Sequence, residues 1–326
     1  MMTNTIPCKI CDNKENNKDL KIKEVYFSGT RELFNFLECG HCGCLQLLDE
    51  NIDLSGTYYD NSTYGSFQEI KQSKMKHKLI TWRNKFAILG KIRGVPDIVG
   101  YLLNKRKPMP VAWRIIGDYS DIHSKILDVG CGIGGYLNDL HEIGFRNVSG
   151  IDPFIDEDIV PSNGVAIRKM YLTQVDELFD VICSHHSFEH IPDPLETLLA
   201  MKKCLNPGGV AIITIPAAED LYREYQDSFY GIQTPQHFFL HSIRSMEILA
   251  ERSGLLLEKI HRDATNISSW YKYSELFRRG MTNNEITKNI DSYFSTAELK
   301  KFDALERQCL AQNKGDNVTF IYRKGR

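Results

Sequence analysis

With 326 residues, a formal net charge of −2 and a pI near 6.6, the chain has room for one large domain and a smaller one. Its 40 basic and 42 acidic side chains nearly balance, which argues against a partner held chiefly by phosphate contacts. No basic-then-apolar leader opens the sequence and no apolar run approaches the ~20 residues that span a bilayer, so a cytoplasmic location is expected.

Nine cysteines in such a compartment point to metal ligation or burial rather than to disulfides. Cys8 with Cys11, and Cys39 with Cys42, form two CxxC knuckles, each able to give two thiolates to one tetrahedral ion. Structural Zn2+ on Cys8, Cys11, Cys39 and Cys42 is expected; the alternative is four reduced, unliganded thiols. His41 and Cys44 are substitute ligands, although Cys44 fits the strand that follows. Two strands, at 21–27 and 32–39, are expected to meet around Ser28, Gly29 and Thr30, a zinc-ribbon layout. So small a module buries little core, and a metal cross-link supplies the stability that apolar contacts lack. A knuckle can also bind nucleic acid. Here Lys9, Lys14, Lys18, Lys21 and Lys23 are offset by Asp12, Glu15, Asp19 and Glu24, so a nucleic-acid partner is not expected.

Next come Tyr58, Tyr59 and Tyr64 in a polar loop that either closes over a ligand, giving it an apolar face and a hydroxyl, or packs the small module onto the large one. Tyr59 is carried forward as a ligand contact. Residues 66–123 are helical in tendency, with Ile80, Trp82, Phe86, Leu89 and Ile92 near a 3.6-residue period and a break at Gly94 to Pro96. Lys105, Arg106 and Lys107 form a solvated face or a phosphate-binding patch. This region is expected to shape a substrate pocket.

From residue 125 the pattern becomes strand, helix, strand. Lys125 to Tyr136, KILDVGCGIGGY, is an apolar strand running into a glycine turn and a helix N-terminus, and Gly150, Ile151 and Asp152 end the next strand. Gly130, Gly132 and Gly135 satisfy the dinucleotide pattern GxGxxG. A pyrophosphate on that turn would meet the Asp128 anion two residues ahead, whereas S-adenosylmethionine, carrying a sulfonium and an ammonium, would be helped by it. Asp152 is placed to accept hydrogen bonds from two ribose hydroxyls.

On these residues, 125–260 resembles the class I S-adenosylmethionine-dependent methyltransferases. DVGCGIG matches their first motif and GID their second; FDVICSHHSFEHIPDP at 179–194 and LNPGGVAIITIP at 205–216 resemble their fourth- and fifth-strand blocks. The resemblance implies an α/β, Rossmann-like doubly wound seven-stranded sheet whose last strand is antiparallel. It also implies a cofactor site on Asp128, Gly130, Gly132, Gly134, Asp152 and Ser184, with Tyr59 from the upstream loop. No acid lies in Arg168 to Thr173, where many relatives contact adenine, so that contact stays unassigned. The knuckles and tyrosines resemble the module that precedes the catalytic domain in sugar C-methyltransferases, which implies a sugar acceptor, nucleotide-linked or glycan-attached.

QTPQHFFLHS at 233–242 resembles the family's segment after the fifth strand, in which a histidine projects over the transfer site. In sugar C-methyltransferases glutamate precedes that histidine; here it is Gln236, which favours O-methylation over C-methylation of a keto-sugar. Deprotonating a hydroxyl suits a neutral imidazole. His237 is the first candidate base, ahead of His190 and His185; the alternative for each is a structural hydrogen bond. Histidines converging on a cleft can also hold a metal, but with no HxH or HExxH spacing a second ion is not expected. Strands are expected at 255–260 and, antiparallel, at 317–323, with a helical insertion at 265–314 as a lid, an interface or a surface addition. The resulting division is 1–56 for the zinc ribbon, 57–124 for the tyrosine loop and helical linker, and 125–326 for the catalytic domain. A non-enzymatic interaction module on a cofactor-binding scaffold is the remaining alternative, and the oligomeric state is left open.

Overall fold

The computed structural model describes residues 6–50, 52, 74–92, 111–160 and 164–326. Tyr58, Tyr59, Tyr64 and the run Lys105 to Lys107 lie outside them.

Two sheets organise the chain. The larger has seven strands: β4 (Lys125–Val129), β5 (Asn147–Ile151), β6 (Ile167–Arg168), β7 (Phe179–His185), β8 (Leu205–Pro216), β10 (Leu256–Asp263) and β11 (Asn317–Arg323). Their spatial order is β10-β11-β8-β7-β4-β5-β6. Strands β6, β5, β4, β7 and β8 pair in parallel, while β11 runs antiparallel to both β8 and β10. This is the expected α/β methyltransferase sheet with one reversed strand. Its centre is apolar on both faces, as parallel strands covered by helices require: Leu127, Ile182 and Ile213 belong to one core layer and Ile126, Val181 and Ile212 to the other. The edge strand β6 is only two residues long. The Pro207-Gly208-Gly209 turn lies within β8 as an irregularity, where the β7–β8 register shifts between Phe179 and Val181.

The second sheet contains β1 (Lys18–Lys23), β2 (Leu33–Glu38), β3 (Leu45–Leu47) and β9 (Phe239–Leu240), in that order. The first three form a ribbon whose second strand lies within the expected 32–39, while the first runs over Lys18–Lys23 and so ends before most of the expected 21–27. The fourth comes from the segment just after His237, with Leu45 opposite Leu240 and Gln46 opposite Phe239. The Ser242 hydroxyl also donates to the Cys42 carbonyl, so the ribbon is hydrogen-bonded to the segment that ends the site.

Helices α1 (Lys74–Ile92), α2 (Val111–Tyr119), α3 (Gly135–Ile143), α4 (Pro194–Cys204) and α6 (Ile243–Ser253) accompany the large sheet, and the short α5 (Asp220–Tyr225) follows β8. The insertion expected at 265–314 holds α7 (Ile267–Arg278) and α8 (Thr296–Gln312). Its 3₁₀ turn docks on the ribbon: Asn283 N–H donates to Val25 O at 2.7 Å, and Arg31 pairs with Glu285 at 3.0 Å. Apolar contact continues the union, since Phe34 and Phe36 share a core with Tyr222, Phe229 and Tyr271. No helix among the described residues is long and apolar enough to cross a membrane.

Candidate active site and cysteine cluster

Parallel pairing sets the C-terminal ends of β4, β5 and β7 side by side, and each ends in polar residues. Asp128 is buried in β4, and Asp152 follows β5 and is buried beside it. One Asp152 oxygen accepts the Gly132 N–H and the other the Phe154 N–H, both at 2.9 Å. Burial, with Asp152 adding to it, raises the Asp128 carboxyl to about 8; burial also raises Asp152, against those two backbone hydrogen bonds.

The glycine turn is fitted to its surroundings. Gly130 has φ +73°, and a Cβ there would fall 2.4 Å from the Ser187 Cβ. Gly134 has φ +79°, and its Cβ would fall 2.3 Å from Ile167 Cδ1. A side chain at either position is excluded by conformation and by space. Ser187 in turn donates to Val129 O at 2.7 Å and lies 2.6 Å from the buried Ser184 hydroxyl, tying the ends of β4 and β7 together.

Beside this turn opens a cavity of about 210 Å³ whose walls include Gly130, Asp152, Phe154, Tyr171, Ser187 and His190. Of the expected cofactor residues, Gly130 and Asp152 line it. Asp128, Gly132, Gly134 and Ser184 are not among its lining residues, and Tyr59 lies outside the described residues. Met170, Tyr171, Leu172 and Thr173 supply another wall from the stretch in which no adenine contact was assigned. That wall is mostly apolar and aromatic and carries no acid. The Gly130 cradle and the Asp152 carboxylate in the cavity wall fit a phosphate-free nucleoside.

Beyond His186, which has φ +53°, a 3₁₀ turn carries Phe188, Glu189 and His190. His190 lines the cavity, with Nδ1 3.1 Å from Gln236 O. His237 is buried behind it, with Nδ1 2.9 Å from Gly231 O and Nε2 3.9 Å from Glu189 Oε1. The two rings meet edge to face at 4.6 Å. Burial holds His237 near 3 and lowers His190 against the pull of Glu189, so both are neutral bases near pH 7. His185 points elsewhere, to Thr214 Oγ1 at 3.2 Å and the ring of Tyr136. Glu189, which sequence spacing did not single out, is 1% exposed at the centre of this group.

In the ribbon, Cys8, Cys11, Cys39 and Cys42 bring their sulfurs within 4.8 Å of one another. Cys8 to Cys42 is 3.7 Å and Cys11 to Cys39 is 3.5 Å. A tetrahedron with Zn–S bonds of ~2.3 Å has edges of roughly 3.8 Å, so the spacing fits the ion. Cys44, placed just before β3, lies 3.7 Å from Cys8 and 3.4 Å from Cys42, against one side of the cluster only.

The methyltransferase domain family matches residues 74–260, more than half of the chain. A tRNA U34 carboxymethyltransferase of Azotobacter vinelandii is 25% identical over 237 residues, covering 64% of this chain and 67% of that protein. Its counterpart in Nautilia profundicola is 32% identical over 118 residues, covering 32% of this chain and 38% of that protein. The chain thus spans at most about two thirds of the length of these curated relatives. Among solved structures, an S-adenosylmethionine dependent methyltransferase from Mesorhizobium loti gives a TM-score of 0.41 at 15% identity, over 65% of this chain and 97% of that one. A SAM dependent methyltransferase from Archaeoglobus fulgidus gives 0.40 at 18%, over 68% and 93%.

Proposed function

The chain belongs to the methyltransferase domain family and is an S-adenosylmethionine-dependent enzyme, and we propose that it methylates an oxygen of a small polar acceptor brought against His190. The observation that supports this is one shared cavity: the wall that carries Gly130 and Asp152 also carries His190. Bound there, S-adenosylmethionine would supply an electrophilic methyl group on a positively charged sulfur. Asp152 and the turn of Gly130, Gly132 and Gly134 would hold its nucleoside and amino-acid parts, with Asp128 and Ser184 behind them and Tyr59 from the upstream loop. Activation of the acceptor falls to the cluster of His190, His237 and Glu189, and His185 has the lesser part of shaping the end of β7. Gln236 cannot ionise, which favours an oxygen over a keto-sugar carbon.

The acceptor expected from the upstream module was a sugar, and the relatives reported above give it no support, being named for tRNA. A tRNA nucleotide is therefore the second reading, favoured by those names although the near-neutral charge of the chain supplies no basic stripe. A structural zinc on Cys8, Cys11, Cys39 and Cys42 belongs to the same proposal, as does the division at residues 56 and 124. Calorimetry with S-adenosylmethionine and S-adenosylhomocysteine is the first test, and absence of binding by both would overturn transfer. Mass spectrometry for the gain of one methyl group, with sugar nucleotides and bulk tRNA offered side by side, then decides between the acceptors.

A further inference from the structure

Glu189, His190 and His237 each bring a ligand atom within 4.8 Å of the other two. We propose that these three residues bind a divalent transition-metal cation beside the donor cavity, separate from the zinc assigned to the cysteines. Two imidazoles and one carboxylate form a mixed nitrogen and oxygen set that suits such an ion and leaves coordination positions open.

Three observations carry the assignment. The first is spacing. With metal–ligand distances of about 2.1 Å, neighbouring octahedral ligands stand ~3.0 Å apart and opposite ones ~4.2 Å. His237 Nε2 and Glu189 Oε1 are 3.9 Å apart, too far for a hydrogen bond and within the span of two atoms sharing an ion. The second is orientation. His190 turns Nδ1 to Gln236 O at 3.1 Å, and His237 turns Nδ1 to Gly231 O at 2.9 Å. A ring N–H donated to a backbone carbonyl fixes the tautomer with its lone pair on Nε2, the arrangement that supports metal-ligating histidines. The third is charge. Glu189 is 1% exposed, and its Oε2 has no hydrogen-bond partner among the described residues. Its ion-pair neighbours there are His186 at 3.7 Å and His237 at 3.9 Å, with neither lysine nor arginine in reach. A buried carboxylate with one oxygen unpartnered and only imidazoles as ion-pair neighbours is expensive, and a bound cation removes that cost.

Two of the ligands are adjacent in sequence on the turn after β7, and the third arrives on the loop between β8 and β9. No local spacing motif could therefore announce them. The consequence for substrate class rests on the transfer reading above: a cation reached through the His190 wall suits an acceptor hydroxyl with a second oxygen nearby, as in a vicinal diol or an α-hydroxy carbonyl, and lowers the pKa of the oxygen it meets. Binding of the ion itself does not depend on that reading.

The test uses the full chain, stripped of metal, loaded with Co(II) and dialysed. Two cobalt ions per chain are expected, one with thiolate charge-transfer absorption and one without it. Glu189→Gln should lose the second ion, or bind it at least about tenfold more weakly, and keep the thiolate spectrum. His237→Asn gives the same readout if the first variant fails to fold by circular dichroism. Wild-type cobalt confined to the thiolate spectrum, or two ions retained in folded Glu189→Gln and His237→Asn, would overturn the proposal. Calorimetry with S-adenosylmethionine on the same samples reports the transfer reading separately, so a failure of either is seen as its own.

Discussion

Gly132 donates its backbone N–H to the Asp152 carboxylate at 2.9 Å, making the glycine turn and the acid at the end of β5 one unit. The other Asp152 oxygen caps Phe154 N–H at the same distance. Asp152→Ala removes both charge-assisted bonds, each worth about 1.5–3 kcal/mol. It should weaken S-adenosylmethionine by roughly 10²-fold by calorimetry, and Asp152→Asn, which keeps one acceptor oxygen, should fall between. Unchanged affinity in the alanine variant would place the cofactor elsewhere.

The raised Asp128 carboxyl makes cofactor binding and stability depend on pH in opposite directions. The folded chain holds this proton to about pH 8, whereas an unfolded aspartate releases it near pH ~3.9. Its contribution to stability is therefore fully present below the unfolded pKa and is lost as pH rises through the folded one. A cationic cofactor prefers the anion, so affinity should climb between pH 6 and 8, by up to about tenfold per unit, and then level off. Asp128→Asn should flatten both trends, read by calorimetry and by urea titration at fixed ionic strength. A slope that survives in the variant would assign it to another group.

Strands β4 and β7 were legible because a buried parallel strand is a mostly apolar run bounded by turns, as in ILDV before the glycines. β11 was found residue for residue, its apolar run set off by a charged helix before it and Lys324 to Arg326 after it. The two-residue β9 was not, since Phe239 and Leu240 become a strand only through partners almost 200 positions earlier, Gln46 and Leu45. Glu189 stands next to His190 in the sequence, but only the β8–β9 loop brings His237 to it, so the grouping of the three has no local signature.

That long-range pairing carries a prediction from the cysteines to the active site. Loss of the ion from Cys8, Cys11, Cys39 and Cys42 should loosen β3, and with it β9, two residues beyond His237. Cys39→Ser with Cys42→Ser is expected to lose one zinc per chain by mass spectrometry. Midpoint stability should fall, and hydrogen exchange at Phe239 and Leu240 should rise before that of β8. If zinc loss leaves β9 as protected as before, the ribbon and the site are uncoupled.

His190 and His237 should separate by what each contacts. His190 lines the cavity, so His190→Ala is expected to cut turnover by about 10² or more while S-adenosylmethionine affinity stays within about threefold. His237 sits behind it and bonds Gly231 O. His237→Ala should cut turnover comparably through loss of the cluster, whereas His237→Asn, which can keep the bond to Gly231, should recover the fold without recovering the rate. His185, turned to Thr214, should tolerate substitution by asparagine with less than about tenfold loss. Full activity in His237→Asn would reduce that residue to a loop anchor and leave His190 as the single imidazole acting on the acceptor, because a side chain needed only for its Nδ1 contact is replaceable by an amide, and one needed for Nε2 is not.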